Sequence, residues 1–334
     1  MRDVIDKTSS FGYNFLISVN RGIKMLLVKE HNKYIKDAKQ FLCENVYGEI
    51  PAKPVHLSAD VGEKDEFFAA GKAVLKKHNL ICELEGGRTI QFPITAIIPK
   101  NRNNLPAIIS AEHDGAVPNK FLPIEEIIDR GYAVFCFNHN DITENSKNFK
   151  EKLYQSLSTR KKKNAPGKIA IWAYAMIRIA EYISDFDLID KSRIIASGHS
   201  FLGKSALLAA AFCDKFSYAI ANDSMGFGSL SPLSNPMMSY PYMFCPKLCE
   251  NDNLGDIKTE HYSLLLACSD KKVLVGVSED DLRSLPDAEL ECLKQVKAKN
   301  PDFDYHFHTR EGSQYFSRAD WSLYLDYIDS FGNT

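Results

Sequence analysis

The chain has 334 residues, 45% of them apolar and 25% charged, enough for one large α/β domain with its own core. A net charge of −2 supplies no global field for nucleic acid or anionic lipid, and no apolar run reaches the roughly 18 residues of a spanning helix. Neither a nucleic acid nor a membrane is therefore expected as a partner. At the start, Asp3, Asp6 and Lys7 precede a short apolar run, Phe11 to Val19, that is broken by Asn14. This does not fit a signal peptide, and a cytoplasmic protein is expected. Residues 1–45 read as a helical lead-in, followed by a turn-rich exit through Gly48 and Pro51. Thr89 to Ile98 alternates like a strand and stops at Pro99. Pro106 to Ala111 and Tyr132 to Asn138 are continuous runs suited to buried parallel strands, with a short helix, Ile124 to Asp129, between them.

Ile169 to Ile183 predicts a long helix, Arg193 to Ala196 a buried strand, and Lys204 to Phe212 a small-residue helix. Tyr218 to Ala221 and Lys272 to Val277 predict two more strands. The helix Ala288 to Lys299, the strand Tyr305 to Thr309 and the helix Ala319 to Phe331 complete the series. Alternating strands and helices imply a doubly wound, mostly parallel sheet with helices on both faces. Residues 46–334 read as a single domain, with a Pro-, Ser-, Asn- and Met-rich insertion, a loop or cap, near 229–253. The run from Arg160 to Lys163 reads as a solvated loop.

The 8 cysteines include Cys82, Cys136, Cys213 and Cys268 within apolar runs, as expected of small buried hydrophobes in a reducing compartment. Cys245 and Cys249 lack a second Cys/His pair at zinc spacing. With no Walker loop and no dinucleotide fingerprint, neither a metal nor a cofactor is expected.

The segment that carries chemistry runs from Ile194 to Lys204. A buried strand passes directly through Gly198-His199-Ser200 into a helix. Such a turn lifts Ser200 above the carboxyl edge of the sheet and sets the Phe201 N–H at a helix N-terminus, facing an oxyanion. The match to G-x-S-x-G is imperfect, because Gly203 comes one residue late. A second oxyanion donor belongs on the loop after an earlier strand, where Glu112-His113-Asp114-Gly115 stands. His113 and Gly115 are thus candidates to meet a ligand.

These pieces resemble the glucuronoyl esterases and the bacterial acetyl-xylan-esterase-like proteins grouped with them, a carbohydrate esterase family of α/β-hydrolases. The resemblance rests on Val46-Tyr47-Gly48, Arg130 to Val134, the elbow with Gly203-Lys204, and Asn222-Asp223-Ser224. Further on it includes Glu260-His261, Ser278 to Asp281, and Asp320-Trp321 with Tyr324 and Asp326. It implies the α/β-hydrolase fold, Ser200 as nucleophile, Asp223 as the acid, Asp281 at a second acid position, and Lys204 as a contact to sugar hydroxyls. Two departures follow. Phe201 stands where the family has an arginine supporting the oxyanion, and Gln314 takes the place of the catalytic histidine. An amide accepts no proton from serine near neutral pH. His308 and its neighbour His306 are the nearest alternative bases in sequence, whereas His199 and His261 read as structural.

Two functions stand side by side. One is a serine esterase acting on a small-molecule or carbohydrate ester, and the other is a non-catalytic hydrolase fold binding a sugar or protein partner in the old cleft. Acyl transfer on the same elbow is a third reading. The oligomeric state is left open by the sequence.

Overall fold

Alternation of apolar side chains through the central strands sets the layering. The computed structural model describes residues 29–158, 160–224, 240–250, 260–281 and 286–332. Within them the ten strands β1 (His56–Ala59), β2 (Glu63–Asp65), β3 (Ala73–Glu83), β4 (Thr89–Pro99), β5 (Leu105–Glu112), β6 (Ala133–Asn138), β7 (Ile189–His199), β8 (Tyr218–Asn222), β9 (Lys272–Ser278) and β10 (Asp304–Arg310) form one sheet. Its order is β1-β3-β4-β6-β5-β7-β8-β9-β10, with β2 on β3. Ile109, Ala196, Ala219 and Val275 enter one core, while Ile108, Ile195, Ile220 and Leu274 enter the other. Each fully buried Ile, Leu or Val side chain among them contributes about 1.5–3 kcal/mol. Burial on both faces is why these strands read as unbroken apolar runs.

The sheet is parallel from β6 to β10 and antiparallel from β1 through β4 to β6. The expected doubly wound core is present, and the antiparallel wing is an addition to it. Its strand β3 went unrecognised because Lys76-Lys77-His78-Asn79 interrupts the apolar pattern on a half-exposed ribbon.

Helices cover both faces. In chain order they are α1 (29–45), α2 (Ile124–Asp129), α3 (His139–Ile142), α4 (Lys152–Leu157), α5 (Lys168–Ile183), α6 (Phe201–Phe212), α7 (Pro246–Glu250), α8 (Glu260–Ala267), α9 (Pro286–Lys299) and α10 (Arg318–Asp329). α5 and α6 fill one core; α2 and α10 fill the other. Ala38 and Leu42 of the lead-in helix join the first core. Of the expected insertion, 229–239 and 251–253 lie outside the described residues, as do residues 1–28 of the lead-in. The basic run is only partly a solvated loop. Lys161, Lys162 and Lys163 are exposed, but the Arg160 guanidinium lies over the Phe149 ring and donates to the Phe244 carbonyl at 2.9 Å. Cys43, Cys82, Cys136, Cys213, Cys245, Cys268 and Cys292 are free thiols, and all of these but Cys43 are buried. No described helix is long and apolar enough to cross a membrane.

One ion pair ties α6 to the rest of its layer. Lys204, one turn into α6, and Glu260, at the start of α8, are both fully buried. The Lys204 ammonium donates to both Glu260 oxygens, at 3.1 and 3.0 Å. Tyr47 also donates to Glu260, and His261 Nε2 meets the buried Glu289. Removing one partner of such a pair leaves an uncompensated buried charge, at about 3–5 kcal/mol. Lys204→Ala is therefore expected to lower the urea midpoint by a corresponding amount with an unchanged m-value; a shift of under about 1 kcal/mol contradicts this.

Candidate active site

β7 and α6 meet at a single residue. Ser200 has φ +58° and ψ −127°, a backbone region that only glycine enters without strain. Its own N–H donates to the Asn222 carbonyl at 2.9 Å, and its carbonyl accepts from Gly203 N at 3.0 Å. The side chain is partly exposed at the carboxyl edge of β7. The flanking glycines follow from close approach. A Cβ on Gly198 would lie 2.2 Å from the Leu202 carbonyl oxygen, and one on Gly203 would lie 2.7 Å from Ser224 Cβ. The late position of Gly203 thus reflects packing of α6 against the end of β8.

Around this elbow the structure gathers most of the residues singled out in the sequence. Phe201 opens α6, and its ring packs edge-on against Tyr240 at 5.6 Å. Asp223 directly follows β8 and is 2% exposed. Its carboxylate accepts from Ser278 N at 2.6 Å, Ser278 Oγ at 2.7 Å and Tyr315 N at 3.1 Å, with Arg310 Nη2 at 3.4 Å. Burial pushes its pKa up, against the pull of those donors. Gln314 lies beside it, its amide donating to the Asp223 carbonyl oxygen at 3.3 Å. Asp281, after β9, is buried, and its N–H reaches the Ser278 carbonyl at 3.4 Å.

Three expectations need correction. Asp223 was expected to orient a base, but its oxygens are already engaged by Ser278, Tyr315 and Arg310. His308 does not turn toward the elbow; its Nε2 sits 2.8 Å from Asp320 Oδ1, and its ring packs on Tyr324. Lys204 offers no open contact to a sugar, because its ammonium is held in the Glu260 pair with no exposed surface.

Arg310 was missed, although it stands two residues after His308 on β10 and so on the same strand face. Its guanidinium donates to Ser278 Oγ at 2.7 Å, the Tyr315 carbonyl at 2.8 Å, the Ser313 carbonyl at 3.1 Å and Asp320 Oδ2 at 3.1 Å. It therefore fixes the loop that carries Gln314. Asp320 explains its own place before Trp321. It closes a capping box with Ser317 at the start of α10 and receives His308 and Arg310. Burial opposes its ionisation, but the bonds from His308 and Ser317 prevail and lower its pKa.

On the opposite side of Ser200, the loop after β5 is packed by rings. His113 Nε2 donates to the His199 carbonyl at 3.2 Å, and its ring meets His139 at 5.3 Å and His199 at 5.9 Å. Phe121 stacks on His199 and touches Tyr315 at 5.3 Å. Burial lowers the pKa of His113 and His199, and that of His139 to about 4. Gly115 lies against Asn138, whose Nδ2 would be 3.0 Å from an added Cβ. No group of three or more His, Cys, Asp or Glu among the described residues is arranged to hold a metal.

A strand–elbow–helix with its serine at the carboxyl edge of a mostly parallel sheet defines an α/β-hydrolase. Residues 81–232 match the family model described as glucuronyl esterase, fungi. A curated relative, carbohydrate esterase MZ0003 from an unknown prokaryotic organism, is 24% identical over 242 residues, covering 62% of this chain. The chain spans 55% of the length of that relative. Among solved structures, the glucuronoyl esterase from Solibacter usitatus superposes with a TM-score of 0.78 at 18% identity, over 88% of this chain and 91% of the other. A promiscuous CE15 esterase from a marine bacterial metagenome gives 0.75 at 20% identity, over 88% and 90%. Over residues 81–232 the chain is thus similar to the glucuronoyl esterases, and it shares their fold.

Backbone strain at the elbow is measurable. Ser200→Gly is expected to stabilise the protein by about 1–3 kcal/mol, whereas Ser200→Ala, which keeps the strained φ, is expected to stay near the parent. Equal stabilities of the two variants in urea would contradict a strained serine.

Proposed function

We propose that the protein hydrolyses a carboxylic ester on a carbohydrate, with Ser200 as nucleophile. The observation that carries the reading is the strained Ser200 backbone at the tip of β7, in a chain similar to the glucuronoyl esterases. A serine held at such cost at the mouth of a sheet is placed for attack rather than for packing.

In the first step Ser200 Oγ bonds to the ester carbonyl carbon, and the carbonyl electron pair moves onto oxygen. The Phe201 N–H, at the positive end of α6, and an N–H of the 113–115 loop hold that oxyanion. Collapse expels the alkoxide, which takes a proton from water, and a second water then cleaves the acyl-serine to release the acid and restore the Ser200 hydroxyl. The serine proton passes to water, because the Gln314 amide has no basic lone pair. Phe201 adds no charge to the oxyanion, which leaves the backbone donors to carry its stabilisation.

The non-catalytic alternative draws on Phe201, on Gln314 in place of a base, and on the engagement of Asp223 by Ser278, Tyr315 and Arg310. Hydrolysis of an activated aryl ester separates the two. A slow rate that Ser200→Ala reduces to the solvent blank supports the esterase, whereas equal rates in both proteins support binding alone. Gln314→His is expected to raise the rate only about tenfold, since a triad imidazole without its carboxylate forfeits about 10⁴. A gain above about a thousandfold would mean that Asp223 exchanges its present donors for the new ring.

A further inference from the structure

We propose that Glu112 is a positioning residue for this reaction: its carboxyl braces residues 113–122, the loop that supplies the second oxyanion donor. The inference rests on the Ser200 reading above and adds what holds the loop in register. Glu112 ends β5 and is 6% exposed. Its backbone carbonyl accepts from His139 Nδ1 at 3.0 Å, which fixes the root of the loop. Its side chain reaches across to the far end, where Oε2 accepts from Asn119 Nδ2 at 3.1 Å. Asn119 in turn accepts from the N–H groups of Phe121 and Leu122, at 2.9 and 3.0 Å, and shares its amide with the Ala116 carbonyl at 3.2 Å. Trp321 Nε1 donates to the Phe121 carbonyl at 2.8 Å. One carboxyl thus closes the loop on itself and sets its contact with α10.

The brace has a preferred protonation state. Ser110 Oγ donates to Oε1 at 2.5 Å and, by turning its hydroxyl, accepts the acid's proton when the group is neutral; Asn119 Nδ2 only donates. Asp114 on the loop disfavours a negative charge there, and the Cys136 thiol on β6, itself kept neutral by burial, faces the same site. Among the described residues no lysine or arginine forms an ion pair with Glu112. Burial raises its pKa from the ordinary 4.5 to about 7, against the bonds from Ser110 and Asn119. The folded form therefore binds the proton more tightly. The stability this provides is complete below pH 4.5 and is lost as pH rises through about 7. Burial holds the neighbouring imidazoles of His113, His139 and His199 below their usual range, His139 near 4, and the Glu112→Gln variant assigns the step near 7.

The two tryptophans are Trp172 and Trp321. In a Trp172→Phe background the emission of Trp321 reports the loop without any substrate. It is expected to change with a midpoint at about pH 7, and kcat for the aryl ester to fall with the same midpoint at constant KM. Glu112→Gln, which keeps the hydrogen bonds without the ionisation, is expected to flatten both profiles and hold kcat at its low-pH value. Asn119→Ala is expected to cut kcat about tenfold or more at every pH, the scale of a misplaced oxyanion donor, and to uncouple Trp321 from the titration. A Trp321 step that persists in Glu112→Gln, or its absence in the parent, overturns the proposal. A Trp321 step with no Ser200-dependent turnover sinks the esterase reading and leaves the brace standing.

Discussion

The constraint on which the site depends is the reversal of the chain between β7 and α6. A strand buried on both faces must become a helix within one residue, and only a positive φ achieves that turn. Everything near it is cut to fit. Gly198 lets Leu202 fold back over the strand, Gly203 lets α6 approach Ser224, and Lys204 is carried inward to Glu260 instead of outward to solvent. The strain at Ser200 is sustained because the parallel centre of the sheet and α6 are fixed independently by their two cores.

The second organising element is the Asp223 carboxylate. It collects the end of β9 through Ser278, the loop after β10 through Tyr315, and β10 through Arg310. In a triad the same oxygens would hold an imidazole. Here they hold main chain, the Ser278 hydroxyl and a guanidinium, and Arg310 pairs with both Asp223 and Asp320. The exchange turns an orienting carboxylate into a fastening for the loop that bears Gln314.

The sequence revealed those parts of the fold whose determinants are local. β4 to β9, α2, α5 and α6 were legible because two-sided burial makes strands apolar throughout and because Pro99, Gly131 and Gly167 punctuate them. Ser200 was legible because the elbow is a property of eleven consecutive residues, Ile194 to Lys204. What was hidden depends on distance along the chain. The partners of Asp223 lie 55 and 92 residues away, and no local pattern says that a carboxylate after β8 will find a serine at the end of β9 and an arginine on β10. The orientation of His308 was equally illegible: alternation gives the strand face, but only the capping box at Ser317 and Asp320 shows where that face leads.

The closing of the 113–122 loop by Trp321 has a consequence for the order in which the site is made. The elbow, the loop and its brace are all synthesised before residue 225, yet Arg310, Gln314, Tyr315 and Trp321 come at the end. During vectorial synthesis the nucleophile emerges long before the residues that confine it. A nascent chain therefore carries an exposed serine beside an unfastened loop, with the Phe121 ring uncovered, until α10 docks. Between residues 200 and 321 of its translation the molecule has the reactive group without its enclosure.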